Sequence, residues 1–269
     1  MSETMLELRG LNKTFYPGTI NANHVLKDLS LTLAAGDFVT VIGSNGAGKS
    51  TLFGAIAGTF LPDSGQVRLD DRDITFLPEH KRALSMGRIF QDTNKGTAPG
   101  MTIEENLALA YLRNGGRRSI MGITKADRDF FRQQLAQLGL GLEDRLTAKV
   151  GLLSGGQRQA VALLMSTMTT PKLLLLDEHT AALDPATAEK VLAITRQIVE
   201  EKKLTCMMIT HNIQSALTLG NRTLMMDRGQ VVLDIAGTER REMTVPQLLE
   251  RFRQQTDRAL FNDRMLLEN

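Results

Sequence analysis

The 269-residue chain contains a single cysteine, Cys206, so no disulfide can form within it. Its stability must come from a packed core, and one lone thiol fits a reducing compartment. An excess of charge of one sign is also missing. Lys and Arg number 32 against 30 Asp and Glu, a formal net charge of +2. That balance argues against a protein that holds nucleic acid by bulk charge, while leaving room for a local basic patch. It argues equally against wholesale disorder, since 42% of residues are hydrophobic and 23% charged. Long hydrophobic runs are absent as well. The longest stretch without Asp, Glu, Lys or Arg, Leu204 to Asn221, contains His211, Asn212, Gln214 and Asn221. A membrane-spanning helix needs about 20 mostly apolar residues, so none is expected here. The opening MSETMLELRG carries Glu3, Glu7 and Arg9 with no apolar centre, and no signal peptide is expected.

What is present is an alternation of strand and helix patterns, which predicts an α/β protein with a largely parallel sheet. Phe38 to Ile42, Leu173 to Leu176 and Thr205 to Ile209 read as short buried strands. Leu6 to Leu11 and Val25 to Leu33 read as β-structure leading into the core, and Gly87 to Phe90 as a short strand. Two apolar runs between Arg222 and Ile235 flank Asp227-Arg228-Gly229-Gln230, which predicts a hairpin. Between residues 92 and 150 the texture turns helical, over Ile103 to Arg113 and Thr124 to Gly139. A further helix is expected over Val245 to Gln255, with Leu248, Leu249 and Phe252 on one face. The last stretch ends in Leu260, Phe261, Met265 and Leu266.

Directly after the first buried strand comes Gly43-Ser44-Asn45-Gly46-Ala47-Gly48-Lys49-Ser50-Thr51, which fits G-x-x-x-x-G-K-[ST]. Glycines let the backbone curl so that successive N–H groups face phosphate oxygens, and the following helix offers its positive end to the same anion. Lys49 would neutralise the β- and γ-phosphates of a nucleoside triphosphate, and the Ser50 hydroxyl would hold Mg²⁺. Asp177 and Glu178 end the Leu173–Leu176 run, at the sheet edge where ligands bind in open α/β folds. Asp177 suits a Mg²⁺ contact, and Glu178 could polarise an attacking water. Gln91 could ligate the metal or orient water, or serve only as a surface amide. His211 could reach a γ-phosphate, with Asn212 as the N-cap of the next helix.

A second glycine-rich helix start, Leu153-Ser154-Gly155-Gly156-Gln157, precedes an amphipathic run with Val161, Leu164, Met165 and Met168 at helical spacing. It lacks the lysine and hydroxyl of a phosphate loop. It is either a plain helix cap or half of an anion site that a second copy of the chain would complete.

Together, Gly43–Thr51, Gln91, Leu153–Gln157, Leu173–Glu178, Asp184 and His211 resemble the nucleotide-binding subunit of ATP-binding cassette (ABC) transporters over about residues 5–237. The resemblance implies a P-loop (RecA-like) α/β core with a mainly parallel sheet, an antiparallel β-subdomain and an inserted α-helical subdomain. The division it suggests is 1–91 with 149–237 for the core, 92–148 for the helical insertion and 238–269 for a helical tail. It implies ATP and Mg²⁺ as ligands, with two subunits sandwiching two ATP molecules head to tail. Residues 43–51 would cradle the phosphates. Ser154, Gly155, Gly156 and Gln157 would close the partner's site, and Asp184 would lie at the dimer interface. Glu178 would be the catalytic base, with His211 and Lys49 on the γ-phosphate. Ser50, Gln91 and Asp177 would surround the metal. An aromatic near the N-terminus would stack on adenine; Phe15 fits that pattern best, with Tyr16 as competitor.

Since no membrane helices are expected, the resemblance implies separate permease subunits, indirectly a solute-binding protein, and a place on the cytoplasmic face of the membrane. No nucleic-acid partner is expected. Gly87–Gln91 followed by Met101–Leu107 is similar to branched-chain-type amino-acid importers. Asp177-Glu178-His179-Thr180-Ala181-Ala182-Leu183-Asp184-Pro185 looks like a group of ATPases assigned to tryptophan or tyrosine uptake. His179 departs from the more common proline or alanine there. The competing expectations are a soluble ABC ATPase acting on nucleic acid or ribosomes, and a P-loop kinase. An arginine excess in the helical insertion, at Arg113, Arg117, Arg118, Arg128 and Arg132 with Lys125, faces either a permease, anionic lipid or plain solvent.

Overall fold

The computed structural model describes residues 3–113 and 122–255, with the side chain of Arg113 outside the description. Two sheets organise the chain. A four-stranded antiparallel sheet has the order β2 (Asn23–Ala34), β1 (Thr4–Phe15), β4 (Ser64–Leu69), β5 (Arg72–Asp73). A six-stranded sheet runs β10 (Gln230–Ala236), β9 (Arg222–Asp227), β3 (Phe38–Gly43), β8 (Thr205–Ile209), β7 (Leu173–Asp177), β6 (Met86–Ile89). Its strands are parallel except for β10, which pairs antiparallel with β9.

The central strands are apolar throughout because both faces are covered. Leu173 and Leu175 of β7 and Met207 and Ile209 of β8 enter one core, with the antiparallel sheet and α1 (Lys49–Ala57). Leu174, Leu176, Cys206 and Met208 enter a second core on the opposite face. There they meet α3 (Ile103–Arg113), α4 (Lys125–Ala136), α5 (Gly155–Thr167) and α6 (Pro185–Glu201). The helices between β6 and α5 therefore share their apolar cluster with the sheet. Within residues 90–148, among those described, no strand forms and only an isolated bridge joins Thr102 to Lys149.

The helix predicted from Thr124 begins one residue later, because Thr124 is its N-cap in a capping box with Asp127. It ends at Ala136, before Gly139 at φ 63°. Part of the arginine excess is neutralised locally. Arg128 Nε lies 2.7 Å from Glu104 and Arg132 Nη1 3.2 Å from Asp129. Arg117 and Arg118 lie outside the described residues.

The β9–β10 turn has Arg228 and Gly229 at φ 46° and 86°, the paired positive angles of a two-residue hairpin. Gly229 N–H donates to Ala47 O (3.0 Å) and Gly229 O accepts from Lys27 N–H (3.2 Å). The turn therefore braces the loop after β3 against β2. Beyond β10, α8 (Gly237–Glu242) and α9 (Val245–Gln255) close the described chain. Leu248, Leu249 and Phe252 of α9 are buried against β9, β10 and α7 (Ile213–Thr218). The tail residues Leu260, Phe261, Met265 and Leu266 lie outside the described residues. Among the described residues no helix is long and apolar enough to cross a membrane.

Candidate active site

Four neighbouring strands, β3, β8, β7 and β6, end at one edge of the sheet. The turns that leave them carry, in that order, Gly43–Thr51, Thr210–His211, Asp177–Glu178 and Gln91. The candidate site is thus the C-terminal edge of a parallel sheet, where strand ends and helix starts expose unpaired backbone groups.

The first turn passes from β3 into α1 through Gly48, the helix N-cap, at φ 98°. A side chain would be strained at that angle, and its Cβ would stand 3.1 Å from Val25 O. α1 has no acidic residue in its first turn and no side chain capping it, so its N–H groups stay open to an anion. Lys49 is 5% exposed. Its ammonium donates to Gly43 O (2.8 Å) and Ser44 O (3.1 Å), folding back over the loop. Burial lowers its pKa, while Glu178 and Asp177 oppose that shift.

Asp177 and Glu178 stand opposite this loop. Ser50 Oγ donates to Asp177 Oδ1 at 3.4 Å. Burial raises the Asp177 pKa, Arg88 opposes the shift and Glu178 adds to it. Glu178 is held at both ends. Its N–H donates to Ile209 O (3.1 Å), and its Oε1 lies 2.5 Å from His211 Nε2. Burial would raise its pKa, but the hydrogen bond and charge of His211, with Lys49, outweigh that and hold it below the ordinary value. Glu178 is therefore ionised at neutral pH. Its φ of 46° lies in the left-handed region that side chains with a Cβ rarely adopt. Such outliers cluster at functional sites.

The remaining expected residues stand apart from this cluster. Ser154 is the N-cap of α5 and forms a capping box with Gln157, both bonds 3.2 Å. No described hydrogen bond joins Ser154–Gln157 to the phosphate loop. Gln91 is exposed, and the carbonyl of neighbouring Phe90 accepts from Gln159 of α5 at 3.3 Å. Asp184 caps α6 by accepting from Thr187 N–H (3.1 Å). Asn212 caps α7 by accepting from Ser215 N–H (2.8 Å). Phe15 packs edge-on against Phe60, with centroids 5.2 Å apart, and Lys13 Nζ lies 5.7 Å from its ring. Tyr16 is 71% exposed.

Sequence reading missed Arg88, whose charge reaches Asp177 from β6. Its alternate position in Gly87–Phe90 was the available signal. Burial of His179 (2% exposed) was also not legible.

The donor set fits a nucleotide with a hard cation. A serine hydroxyl and one carboxylate suit Mg²⁺, which keeps waters and phosphate oxygens as its other ligands. Among the described residues no group of three or more His, Cys, Asp or Glu could hold a metal by itself. An ammonium resting on two carbonyls beside an uncapped helix N-terminus fits a polyphosphate.

A family profile for ABC transporters matches residues 26–181. The tyrosine transport ATP-binding protein of Clostridioides difficile (strain R20291) is 44% identical over 92% of this chain and 98% of its own length. The methionine import ATP-binding protein MetN 2 of Enterococcus faecalis (strain ATCC 700802 / V583) is 36% identical over 85% of this chain; the match spans 64% of that longer relative. Among solved structures, a dimeric ATP-binding cassette in a post-hydrolysis state with ADP and Pi superposes with a TM-score of 0.74 at 29% identity. It covers 86% of this chain and 98% of that one. The chain belongs to the ABC transporter family, as an ATP-binding subunit that hydrolyses ATP.

Proposed function

We propose that this subunit powers solute uptake, with an amino acid as cargo, through separate permease subunits at the cytoplasmic face of the membrane. The observation that carries the chemistry is the convergence of the phosphate loop, Asp177, Glu178 and His211 on one sheet edge. The cargo class rests on relatives named for tyrosine and methionine transport. A solute-binding protein would act through the permease.

In this reading residues 43–51 wrap the triphosphate, and Lys49 exchanges Gly43 O and Ser44 O for β- and γ-phosphate oxygens. Ser50 and Asp177, with Gln91, hold Mg²⁺, which supplies charge neutralisation at the phosphates. Ionised Glu178, one oxygen engaged by His211, accepts a proton from the attacking water through the other. His211 keeps the carboxylate aimed and stands next to the departing phosphate. Phe15 is the adenine platform, held by its T-shaped contact with Phe60. Ser154–Gln157 and Asp184 serve the site of a second copy of the chain. The division into a core (1–91 and 149–237), a helical insertion (92–148) and a tail (238–269) belongs to the same proposal.

Affinity capture of the tagged chain from detergent-solubilised native membranes tests the transporter reading. A polytopic permease should co-purify, and its genomic neighbours should include a solute-binding protein. Reproducible capture of ribosomal or DNA-associated proteins alone, after nuclease treatment, would replace transport with the soluble reading.

A further inference from the structure

His179 follows the proposed base directly, yet its ring is buried against α6. It is 2% exposed, and its Nε2 lies 3.0 Å from Thr195 Oγ1 in α6. The direction of that bond follows from proton counting. Thr195 Oγ1 donates its one proton to Val191 O at 2.8 Å, so it can only accept from the ring. His179 is therefore a neutral Nε2–H tautomer, fixed by the helix rather than by any charged group.

The other end of α6 touches a different part of the machinery. Asp184 caps it, and its first turns pack on the glycines of Ser154–Gln157. A Cβ on Gly156 would stand 2.1 Å from Thr187 Cγ2, and one on Gly155 would stand 3.0 Å from Leu183 Cδ2. One rigid helix thus holds the residue after Glu178 at one place and the second glycine-rich turn at another. Between them Glu178 sits in a left-handed backbone conformation, φ 46°, followed by a tight turn in which Ala181 N–H donates to Glu178 O (3.0 Å). Such a conformation persists only where its surroundings over-determine it.

We propose that His179 is a positioning residue: its hydrogen bond to Thr195 clamps the chain just after Glu178 onto α6, and so fixes the base relative to Ser154–Gln157. The inference rests on the reading of Glu178 as the base. The clamp acts on placement of the carboxylate and leaves the phosphate loop untouched, so it moves turnover and not nucleotide affinity.

Steady-state ATPase of the full chain tests it. Thr195→Val keeps the shape and removes the acceptor; kcat should fall about tenfold with KM for ATP unchanged within about twofold. Thr195→Ser restores the acceptor and should restore kcat. Thr195→Val also strands the ring N–H, so its stability will drop for a separate reason. The double variant Thr195→Val with His179→Met removes both partners and should recover stability, measured by urea midpoint, while kcat stays low. Recovery of kcat together with stability would reduce the bond to a structural role and overturn the proposal. Wild-type kcat in folded Thr195→Val would overturn it as well, and so would a Thr195→Ser variant as slow as Thr195→Val. Glu178→Gln is measured in parallel. If that variant retains turnover, the assignment of the base is what fails. If it is inactive while the Thr195 variants are normal, only the clamp fails.

Discussion

Buried imidazoles carry a pH signature that exposed ones lack, and His179 is the case in this chain. Burial pushes its pKa down to about 4, against 6.5 when unfolded. Above pH 6.5 neither state binds the proton, and the stability is fully present. As pH falls from 6.5 towards 4 the unfolded chain takes up a proton that the native state refuses, so stability declines across that window. The loss is on the order of 3 kcal/mol by pH 4. Urea midpoints between pH 7 and pH 4.5 should therefore fall for the wild type. His179→Met should fall less steeply, and parallel curves would show that His179 does not titrate as its burial requires. Residues of the phosphate loop were legible because their spacing is itself the chemistry: glycines for the curl, a lysine, a hydroxyl. The bond from His179 to Thr195 was not, since it depends on how α6 lies against the end of β7, which no local pattern encodes.

At the level of elements, legibility followed burial on one face. α9 was readable to its ends because Leu248, Leu249 and Phe252 form a single apolar stripe on an otherwise polar helix. β4 and β5 were not, because Ser64-Gly65-Gln66-Val67-Arg68-Leu69 buries only Val67 and Leu69. α1 shows no stripe at all, since nearly every side chain in it is buried. Only the phosphate-loop pattern announced it. The far end of α1 is finished by a residue from another element, α2 (Glu79–Arg82). Arg82, 2% exposed, donates to Ala55 O (2.7 Å) and Ile56 O (2.8 Å), in the last turn of α1. It also donates to Leu77 O (2.8 Å) and Thr75 O (2.7 Å), tying both to the same guanidinium. Arg82→Ala leaves three buried carbonyls and one partly buried carbonyl without that donor. The expected cost is about 2–4 kcal/mol, because unsatisfied buried groups keep their full desolvation penalty. Chemical denaturation with the m-value monitored checks it. A midpoint within error of wild type would show that water replaces the guanidinium freely. The ATP affinity of the folded fraction should stay within about threefold, because the contact lies at the C-terminal end of α1 while phosphates bind at the N-terminal end.

The molecule as a whole contains one phosphate loop and one Ser154–Gln157 turn, and the structure keeps them in separate hydrogen-bond networks. A single chain therefore offers the nucleotide one wall of charge and backbone N–H groups, while the start of α5 is capped by its own Ser154 and Gln157. In the proposed two-fold arrangement each copy's α5 start would meet the phosphates bound by the other. The similarity to a dimeric cassette in a post-hydrolysis state supports a dimer. If ATP is the glue between copies, blocking hydrolysis should trap the dimer. Glu178→Gln removes the carboxylate's basicity while keeping its shape. Turnover should fall at least about a hundredfold, the usual scale for a lost general base. ATP binding should survive, since Lys49 and the loop backbone are unchanged. Light scattering after size exclusion should then show a dimer with ATP and a monomer with ADP or no nucleotide, and reversion as ATP is washed out. A Glu178→Gln chain that binds ATP yet remains monomeric at tens of micromolar, roughly the range where weak specific interfaces assemble, would remove ATP as the bridging element. The function of the second glycine-rich turn would then have to lie within the single chain, as the cap of α5.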